Sequence, residues 1–140
     1  MAKRTQLDIK LKELLWLLDR KSKLSLENKI LIYKAILKPV WTYGIQLWGV
    51  AAKSNINIIQ QFQSKVLRMV PHAPWYVRKE QIHSDLNINT VLEEIRESST
   101  SYLLRLQSHL NPLARALLKT ETNTSRLRRF QPIDLITRML

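Results

Sequence analysis

Apolar residues recur at steps of three and four along most of the chain, which is the spacing of one face of an α-helix. The pattern predicts main helices near residues 5–20, 25–48 and 54–70, a long one near 90–109 and a short one over 78–86. Because this spacing is unbroken and only two glycines occur, we predict an all-α fold, a helical bundle with a C-terminal helical extension.

Residues with capping chemistry set the expected helix starts. Ser25 is a good N-cap for the second helix, with Leu24 placed as its hydrophobic staple. Ser54 is predicted to cap the third helix. Thr90 and Glu93 have the spacing of a capping box, which predicts the start of the long helix.

Prolines are expected to interrupt the helices, because proline has no backbone N–H to donate. The apolar pattern crosses Pro39 in phase, so we expect a kink or brief break there, whereas Pro71 should stop the third helix. Residues before proline avoid the helical region, which predicts an extended loop over 71–76. Asn111 and Pro112 have the pattern of an N-cap and first helical residue, opening another short helix.

The apolar stripes give the candidate core. Trp41 and Trp48 are assigned to it, because a tryptophan on a helical stripe usually buries about 150–250 Å² in a core. Trp75, in the proline-flanked loop, is expected to lie over that core as a lid. The other apolar residues predicted to face inward are Leu7, Leu11, Leu14, Leu15, Leu18, Ile30, Tyr33, Leu37, Val40, Leu47, Ile58, Ile59, Phe62, Val66, Met69, Val70, Leu92, Ile95, Tyr102 and Leu106.

Composition narrows the class of protein. A chain of 140 residues that is 45% hydrophobic can build one modest core. We expect helical regions over 1–70 and 71–119, and a basic, flexible tail over 120–140. The absence of cysteine excludes a disulfide scaffold and a zinc knuckle. No apolar run approaches the ~20 residues that span a bilayer, so we expect no membrane partner. The absence of cysteine fits a reducing compartment, so the expected location, not fixed by the sequence, is intracellular, in the nucleus or the cytoplasm.

Charge is distributed unevenly along the chain, and this points to a binding partner. The net charge is +12, yet residues 28–79 contain no Asp or Glu and carry three of the four tryptophans. The cations of this acid-free segment are Lys29, Lys34, Lys38, Lys53, Lys65, Arg68, Arg78 and Lys79. Concentrated cations beside large aromatic surfaces are typical of proteins that bind nucleic acid, although a basic face that only confers solubility has the same composition.

The helical spacing predicts which of these cations lie together. Gln61, Lys65 and Arg68 are four and three residues apart, so they share one face of the third helix and could contact successive phosphates. Lys34 and Lys38 stand one turn apart on the second helix. The remaining predicted nucleic-acid-binding residues are Arg78 and Lys79.

Catalytic chemistry is not apparent in the sequence. The adjacent acids Glu93 and Glu94 lie on different faces of one helix. His83 and Asp85 could share a metal, but no third ligand suggests itself, and a core or surface histidine is the commoner case. There is neither a phosphate-binding glycine loop nor a nucleophile elbow. We therefore predict no catalytic residues, no metal ligands and no cofactor.

Several strings of the chain are similar to one family, and together the likeness covers about residues 7–110. These strings are LSLENK at 24–29, IYKAILKP at 32–39, WTYGIQLWG at 41–49, QQFQSKVLR at 60–68 and APWYV at 73–77. They resemble the non-LTR retrotransposon reverse transcriptases of the jockey type from insects. The spacing of Pro39, Tyr43, Gly44 and Trp48 recurs across many non-LTR elements, and the longer strings are more specific.

The resemblance implies a place and a role for the chain. In that family this region follows the polymerase palm and resembles the thumb, which packs against the template–primer duplex. It implies that the rows of Lys34, Lys38, Lys65 and Arg68 touch the template–primer backbone, with the palm of the parent polymerase as a further candidate partner. The parent-like enzyme would need Mg²⁺, held by an Asp-Asp box and an upstream Asp. This chain contains no Asp-Asp, so we expect it not to polymerise alone.

Two other interpretations stay open at this point. A truncated or domesticated helical module could bind a partner protein through apolar faces, with the charge serving only solubility. A basic amphipathic helix over 5–19 could bind a membrane surface, but Asp8, Glu13 and Asp19 count against it.

Overall fold

The computed structural model describes residues 2–116 and residue 118. Within them the chain is helical and has no strand, so the predicted all-α class is confirmed. The helices are α1 Ala2–Leu18, α2 Leu26–Ile32, α3 Lys38–Thr42, α4 Ile45–Trp48, α5 Lys53–Met69, α6 Lys79–Leu86, α7 Val91–Gln107 and α8 Pro112–Ala116. The tail predicted over 120–140 lies outside the described residues.

Pro39 disturbs the helix predicted over 25–48, but the disturbance lies in the turn before it. The backbone widens into a π-helical segment over Tyr33–Leu37, in which the Lys38 N–H donates to the Tyr33 carbonyl. Pro39 then falls in the first turn of α3, where no N–H is required. The buried residues on this part of the chain are spaced four apart: Lys29, Tyr33, Leu37 and Trp41.

The predicted helix ends at Gly44, and the inward stripe changes phase there. Gly44 has a φ of +64°, a left-handed conformation that favours glycine. After this turn Ile45 faces the core, whereas Leu47, predicted to face inward, is 81% exposed. A Cβ on Gly49 would lie 3.1 Å from the side chain of Ile95, so the absence of a side chain lets α4 lie closely on α7.

Helix α5 begins and ends differently from expectation. Ala52 occupies its N-cap position and no side chain bonds there, so the predicted Ser54 cap is wrong. At the other end Val70, although it precedes Pro71, keeps helical angles of −58° and −53°. The extended loop predicted over 71–76 is therefore wrong at its start, because the last turn of α5 continues to its proline and residues 70–72 form a turn.

The chain leaves α5 through a left-handed turn. His72 has a φ of +54°. Its N–H donates to the Met69 carbonyl, and the Ala73 N–H donates to the Arg68 carbonyl. This paired pattern is a Schellman motif, which satisfies carbonyls that the end of a helix would leave free.

Three predicted helix starts are confirmed by their hydrogen bonds. The Ser25 hydroxyl accepts from the Asn28 N–H at 3.3 Å. Thr90 and Glu93 form the reciprocal capping box. The Asn111 side chain accepts from the Leu113 N–H at 2.9 Å, which opens α8.

Most of the predicted core is confirmed, with specific corrections. Trp41 is fully buried, and Trp48 packs partly buried against it at a ring separation of 6.4 Å. Leu15 and Leu92 are exposed, contrary to expectation, because the buried stripe runs through Leu14 and Val91 instead. The buried apolar residues are Leu7, Leu11, Leu18, Tyr33, Leu37, Trp41, Ile45, Ile56, Ile59, Phe62, Val66, Leu67, Val70, Ile82, Leu86, Ile88, Val91, Ile95 and Leu106.

A polar residue, Gln63, lies fully buried at the centre of this apolar core. Its amide nitrogen donates to the Tyr33 hydroxyl at 3.1 Å and to the Asn89 carbonyl at 2.8 Å. Its amide oxygen accepts from the Gln60 side chain at 3.1 Å. The amide is therefore satisfied on both sides, which is the condition under which a buried polar group is tolerated.

Gln60 extends this polar cluster to the last two large helices. Its side-chain oxygen accepts from the Val91 N–H at 2.9 Å, one of the free donors in the first turn of α7. Its nitrogen lies 3.4 Å from His83 Nε2. The other ring nitrogen of His83 donates to the Ile88 carbonyl at 2.9 Å. Two glutamines of α5 thus join the π-helical segment, α6 and α7.

Replacing Gln63 with Leu should destabilise the protein by about 2–4 kcal/mol, because the Tyr33 hydroxyl and the Asn89 carbonyl lose a buried partner. Gln61 is exposed on the same helix, so Gln61→Leu is the matched control, expected to change stability by less than about 0.5 kcal/mol. Urea unfolding followed by circular dichroism measures both. Equal effects of the two substitutions would contradict the proposed importance of the buried amide.

The Tyr33 hydroxyl should make the stability of the protein depend on pH in alkaline solution. Burial raises the pKa of Tyr33 to about 12, against an opposing effect of its hydrogen bond from Gln63. An unfolded tyrosine has a pKa near 10. The stabilisation should therefore be complete below pH 10 and be lost as the pH rises to about 12, a total of about 2–3 kcal/mol.

The measurement is the free energy of unfolding at a series of pH values from 8 to 12, compared with that of Tyr33→Phe. The difference between the two proteins should shrink as the pH rises through this window, because only in the parent protein does unfolding expose a Tyr33 phenol that ionises near pH 10 while the buried phenol stays protonated. A constant difference would show that Tyr33 ionises without unfolding.

Candidate nucleic-acid interface

Two lysines of the acid-free segment have partners within the molecule. Lys29 is buried, and its ammonium donates to the Asp19 carbonyl at 2.9 Å, just beyond the C-terminus of α1. Cations are favourable at that end of a helix. Lys38 forms an ion pair with Glu94 of α7 at 2.9 Å. The absence of acids from residues 28–79 in sequence therefore does not mean that every cation there lacks a partner.

Arg68 connects the end of α5 to the loop that follows. Its Nη1 donates to the Pro74 carbonyl at 2.6 Å, and its Nη2 donates to the Val77 carbonyl at 2.9 Å. The Val77 N–H itself donates to the Pro74 carbonyl at 3.2 Å, which closes a four-residue turn. The guanidinium group therefore holds the carbonyls at both ends of this turn.

The two central residues of that turn are aromatic and lie in solvent. Trp75 is 88% exposed and Tyr76 is 69% exposed, and their rings stand perpendicular at a centroid distance of 6.0 Å. The prediction that Trp75 covers the core is wrong. The flanking residues Ala73 and Val77 pack against the core instead, so the tip of the turn points outward.

The other cations of the acid-free segment are exposed. Within the part of the chain that the structure describes, none of their side chains is paired with a carboxylate. They are Lys34, Lys53, Lys65, Arg78 and Lys79. Five cations of the acid-free segment are thus exposed and have no carboxylate partner in the described range.

The fold brings several predicted site residues together where α5 meets α6. Lys79 lies beside Ser64 and Leu67 of α5, around a surface depression that Ile82 and His83 also line. Lys65 follows Ser64 directly. We call Lys65, Arg68, Arg78 and Lys79 the α5–α6 basic cluster, since Arg68 also contacts the residue that precedes Arg78.

The other residues predicted to bind nucleic acid lie outside the α5–α6 basic cluster; they are Gln61, Lys34 and Lys38. Gln61 is exposed on α5, one turn before Lys65. Lys34 is exposed on the π-helical segment, and Lys38 faces α7 through its ion pair. No hydrogen bond or ion pair described in the structure joins this pair of lysines to the α5–α6 basic cluster. Their roles toward nucleic acid stay predictions.

The sequence did not predict two structural features, one at Lys3 and one in the turn over residues 74–77. The first is Lys3, whose ammonium donates to the Tyr43 carbonyl at 2.6 Å and lies 5.7 Å from the ring centre of the same residue. Partial burial lowers the pKa of Lys3. The second is the outward direction of the Trp75 and Tyr76 rings. Helical periodicity cannot predict either feature, because each depends on a contact between different segments of the chain.

Metal chemistry finds no support among the described residues. His83 is buried and both its ring nitrogens have partners, whereas Asp85 is exposed. No three His, Asp or Glu side chains come together in the part of the chain that the structure describes. Over the same residues, no helix combines the length and apolar character that crossing a bilayer requires.

The chain is similar in sequence to several known proteins. No family model and no solved structure matches the chain. It is 48% identical over 135 residues to the "Probable RNA-directed DNA polymerase from transposon X-element" of Drosophila melanogaster, a match that covers 96% of this chain and 15% of that protein.

Two further relatives agree with the first. The chain is 45% identical over 109 residues to the "Probable RNA-directed DNA polymerase from transposon BS" of Drosophila melanogaster, which covers 78% of the chain and 12% of the relative. It is 42% identical over 133 residues to the "RNA-directed DNA polymerase from mobile element jockey" of Drosophila funebris, which covers 89% and 14%. The chain thus corresponds to a fragment, 12–15% of the full length, of the RNA-directed DNA polymerases of jockey and other Drosophila non-LTR transposons.

Proposed function

We propose that the chain is a nucleic-acid-binding segment of a non-LTR retrotransposon polymerase, comparable to the thumb and the helices that follow it. Its role is to bind the sugar–phosphate backbone of a template–primer duplex through exposed cations. The observation that carries this proposal is a set of exposed lysines and arginines that have no carboxylate partner among the residues that the structure describes, three of which belong to the α5–α6 basic cluster.

The binding mechanism is electrostatic. Lys65, Arg78 and Lys79 displace condensed counterions from phosphates, and the release of those ions drives association. Lys34, Lys53 and Gln61 extend the contact surface. Contacts of this type fix the position of a duplex without reading its sequence, which suits a polymerase that must move along any template.

Lys38 and Arg68 contribute differently in this proposal. Lys38 is paired with Glu94, and Arg68 bonds to two carbonyls, so both groups are already committed within the molecule. Their charges still add to the local potential. Direct phosphate contact by either residue would require it to give up a short hydrogen bond.

We infer that polymerisation needs parts of the enzyme that lie outside this segment. The relatives are named RNA-directed DNA polymerases, but the chain spans only 12–15% of their length. Two-metal catalysis requires clustered carboxylates, and this chain has no Asp-Asp. The described residues do not fit a Mg²⁺ site, so the chain supplies no step through the metal, and the palm that would hold it is the expected protein partner.

A second candidate function is protein interaction alone. The outer face of α1 carries Ile9 and Trp16, two turns apart, and Trp16 is 73% exposed. Such a face suits a partner surface, for example the palm of the parent polymerase. In that case the basic residues would serve solubility and nucleic acid would not bind specifically to them.

Salt dependence distinguishes the two candidates. If about five phosphates are neutralised, log K should fall with a slope of about −4.5 against log salt, so a fourfold rise in salt weakens duplex binding about 500-fold. Replacing Lys65 and Lys79 together with Ala should reduce the slope to about −2.7, because two contacts are lost. Fluorescence anisotropy of a labelled RNA–DNA hybrid duplex, measured from 50 to 200 mM salt, tests both values.

The matched control removes the same charge elsewhere. Lys12 and Lys23 are exposed outside the acid-free segment, so their replacement with Ala should leave the slope unchanged. If the control lowers the slope as much as the Lys65 and Lys79 pair, only net charge matters. A flat salt response of the parent chain would favour the protein-interaction candidate.

A further inference from the structure

The turn over residues 74–77 exposes two aromatic side chains side by side. Trp75 is 88% exposed and Tyr76 is 69% exposed. Burying an aromatic ring of this size normally stabilises a fold. Ala73 and Val77, on either side, are packed against the core, so the chain passes within reach of that core and still directs both rings away from it.

Arg68 accounts for the direction of the rings. Its two bonds hold the carbonyls of Pro74 and Val77, which bracket the aromatic pair. The backbone of α5 anchors the start of the loop as well, since the Ala73 N–H donates to the Arg68 carbonyl. One residue at the end of a long helix therefore fixes both the entry and the exit of the turn, and the rings are held at a defined place.

The rings themselves are arranged to accept a flat partner. In a perpendicular pair, each ring keeps at least one face free of the other, and here the exposure of both rings leaves such faces in solvent. Nucleobases stack on aromatic side chains of this kind, and stacking tolerates any base because every base has a π-face.

The charge next to the rings selects among partners. Arg78 and Lys79 follow within three residues of Tyr76, and Lys65 lies on the helix that anchors the turn. A purely apolar partner would gain nothing from cations at this place. A nucleic-acid strand supplies both a stackable base and a phosphate within one nucleotide, which matches aromatic rings flanked by cations.

We propose that Trp75 and Tyr76 form a stacking site for unpaired bases of a nucleic-acid strand, with Arg68 as the positioning residue that holds them outward. The proposal rests on the proposed function, since the same surface must first attract the backbone. Its ligand is the unpaired part of a strand, such as an overhang beyond a duplex, because the bases of a duplex are already stacked on each other.

The test compares two oligonucleotides with identical phosphates. One is a 15-residue oligothymidylate, and the other is a 15-residue strand with an abasic sugar at every position; each carries a fluorescent label for anisotropy. The parent chain should bind the strand with bases at least about tenfold more tightly at the same salt concentration, given the usual effect of base stacking. Both strands should show the same salt slope.

Variants then locate the stacking site. Replacing Trp75 and Tyr76 together with Ala should bring the ratio of the two affinities to about one without changing the affinity for the abasic strand. Trp75→Phe should retain most of the ratio, because phenylalanine also stacks. Trp16→Ala is the matched control, since Trp16 is exposed on α1 and should leave the ratio unchanged.

Arg68→Lys separates positioning from charge. The substitution keeps the positive charge, but an ammonium group cannot present the planar fork that reaches both carbonyls. The ratio should fall toward one, while the affinity for the abasic strand and the salt slope stay as in the parent chain. If Arg68 acted only as a phosphate contact, Lys would preserve the ratio, which would overturn its positioning role.

A second measurement does not depend on the alanine variants folding. In Trp16→Phe protein, addition of oligothymidylate should quench tryptophan emission, and the additional change Trp75→Phe should abolish the quenching. Equal binding of the two strands by the parent chain, or a ratio that survives loss of both rings, would overturn the stacking site and leave backbone binding intact. If neither strand binds, the proposed function fails and the stacking site fails with it.

Discussion

The buried amide of Gln63 is the interaction on which the arrangement of the helices depends. An amide in an apolar core is tolerated only when its donors and its acceptor all find partners. Its partners come from the π-helical segment, from Gln60 beside it on α5, and from the backbone just before α7. Apolar contacts alone permit helices to slide and rotate at small cost, whereas this amide is satisfied in one arrangement. It therefore favours the packing that brings the π-helical segment and the start of α7 onto α5, and its neighbour Gln60 extends the polar cluster to His83 of α6.

The sequence predicts the elements of this fold better than it predicts the contacts between them. Spacing of apolar residues, the Thr90 capping box and the Asn111 cap were sufficient for the helices and several of their ends, because those features are local. Leu47 was placed on an inward stripe, because the spacing of apolar residues gives no sign of the phase change at the left-handed turn of Gly44. Gln63 was not identified either, because a glutamine one residue beyond Phe62 has no signature of burial until its partners on other helices are known.

The candidate site was likewise predicted where it depends on local sequence, and missed where it depends on contacts between separate parts of the chain. The acid-free segment predicted a region rich in cations, and the structure separates those cations by their surroundings. Lys29, Lys38 and Arg68 have partners in the fold, whereas Lys65, Arg78 and Lys79 remain exposed. Trp75 was expected to be covered because tryptophans usually are; its exposure depends on bonds from Arg68 to carbonyls six and nine residues away. Charge counted along a chain therefore gives an upper bound on the charge that a partner can meet.

The π-helical segment before Pro39 also determines how the residues on either side of it are rotated around the helix axis. In a regular α-helix, residues four apart drift by about 40° around the axis at each step, so a stripe of Lys29, Tyr33, Leu37 and Trp41 would wind about 120° around the helix. All four are nevertheless buried, since the π-helical segment takes more residues per turn and cancels part of that drift. The π-helical segment thus reduces the rotation between Tyr33 and Trp41, so that Tyr33 faces α5 and Trp41 still faces the core. Loss of one residue between 33 and 37 would change the steps between these four residues to four, three and four, which is the spacing of one face of a regular α-helix. The widened turn would then disappear while the Tyr33 phenol still faces the Gln63 amide.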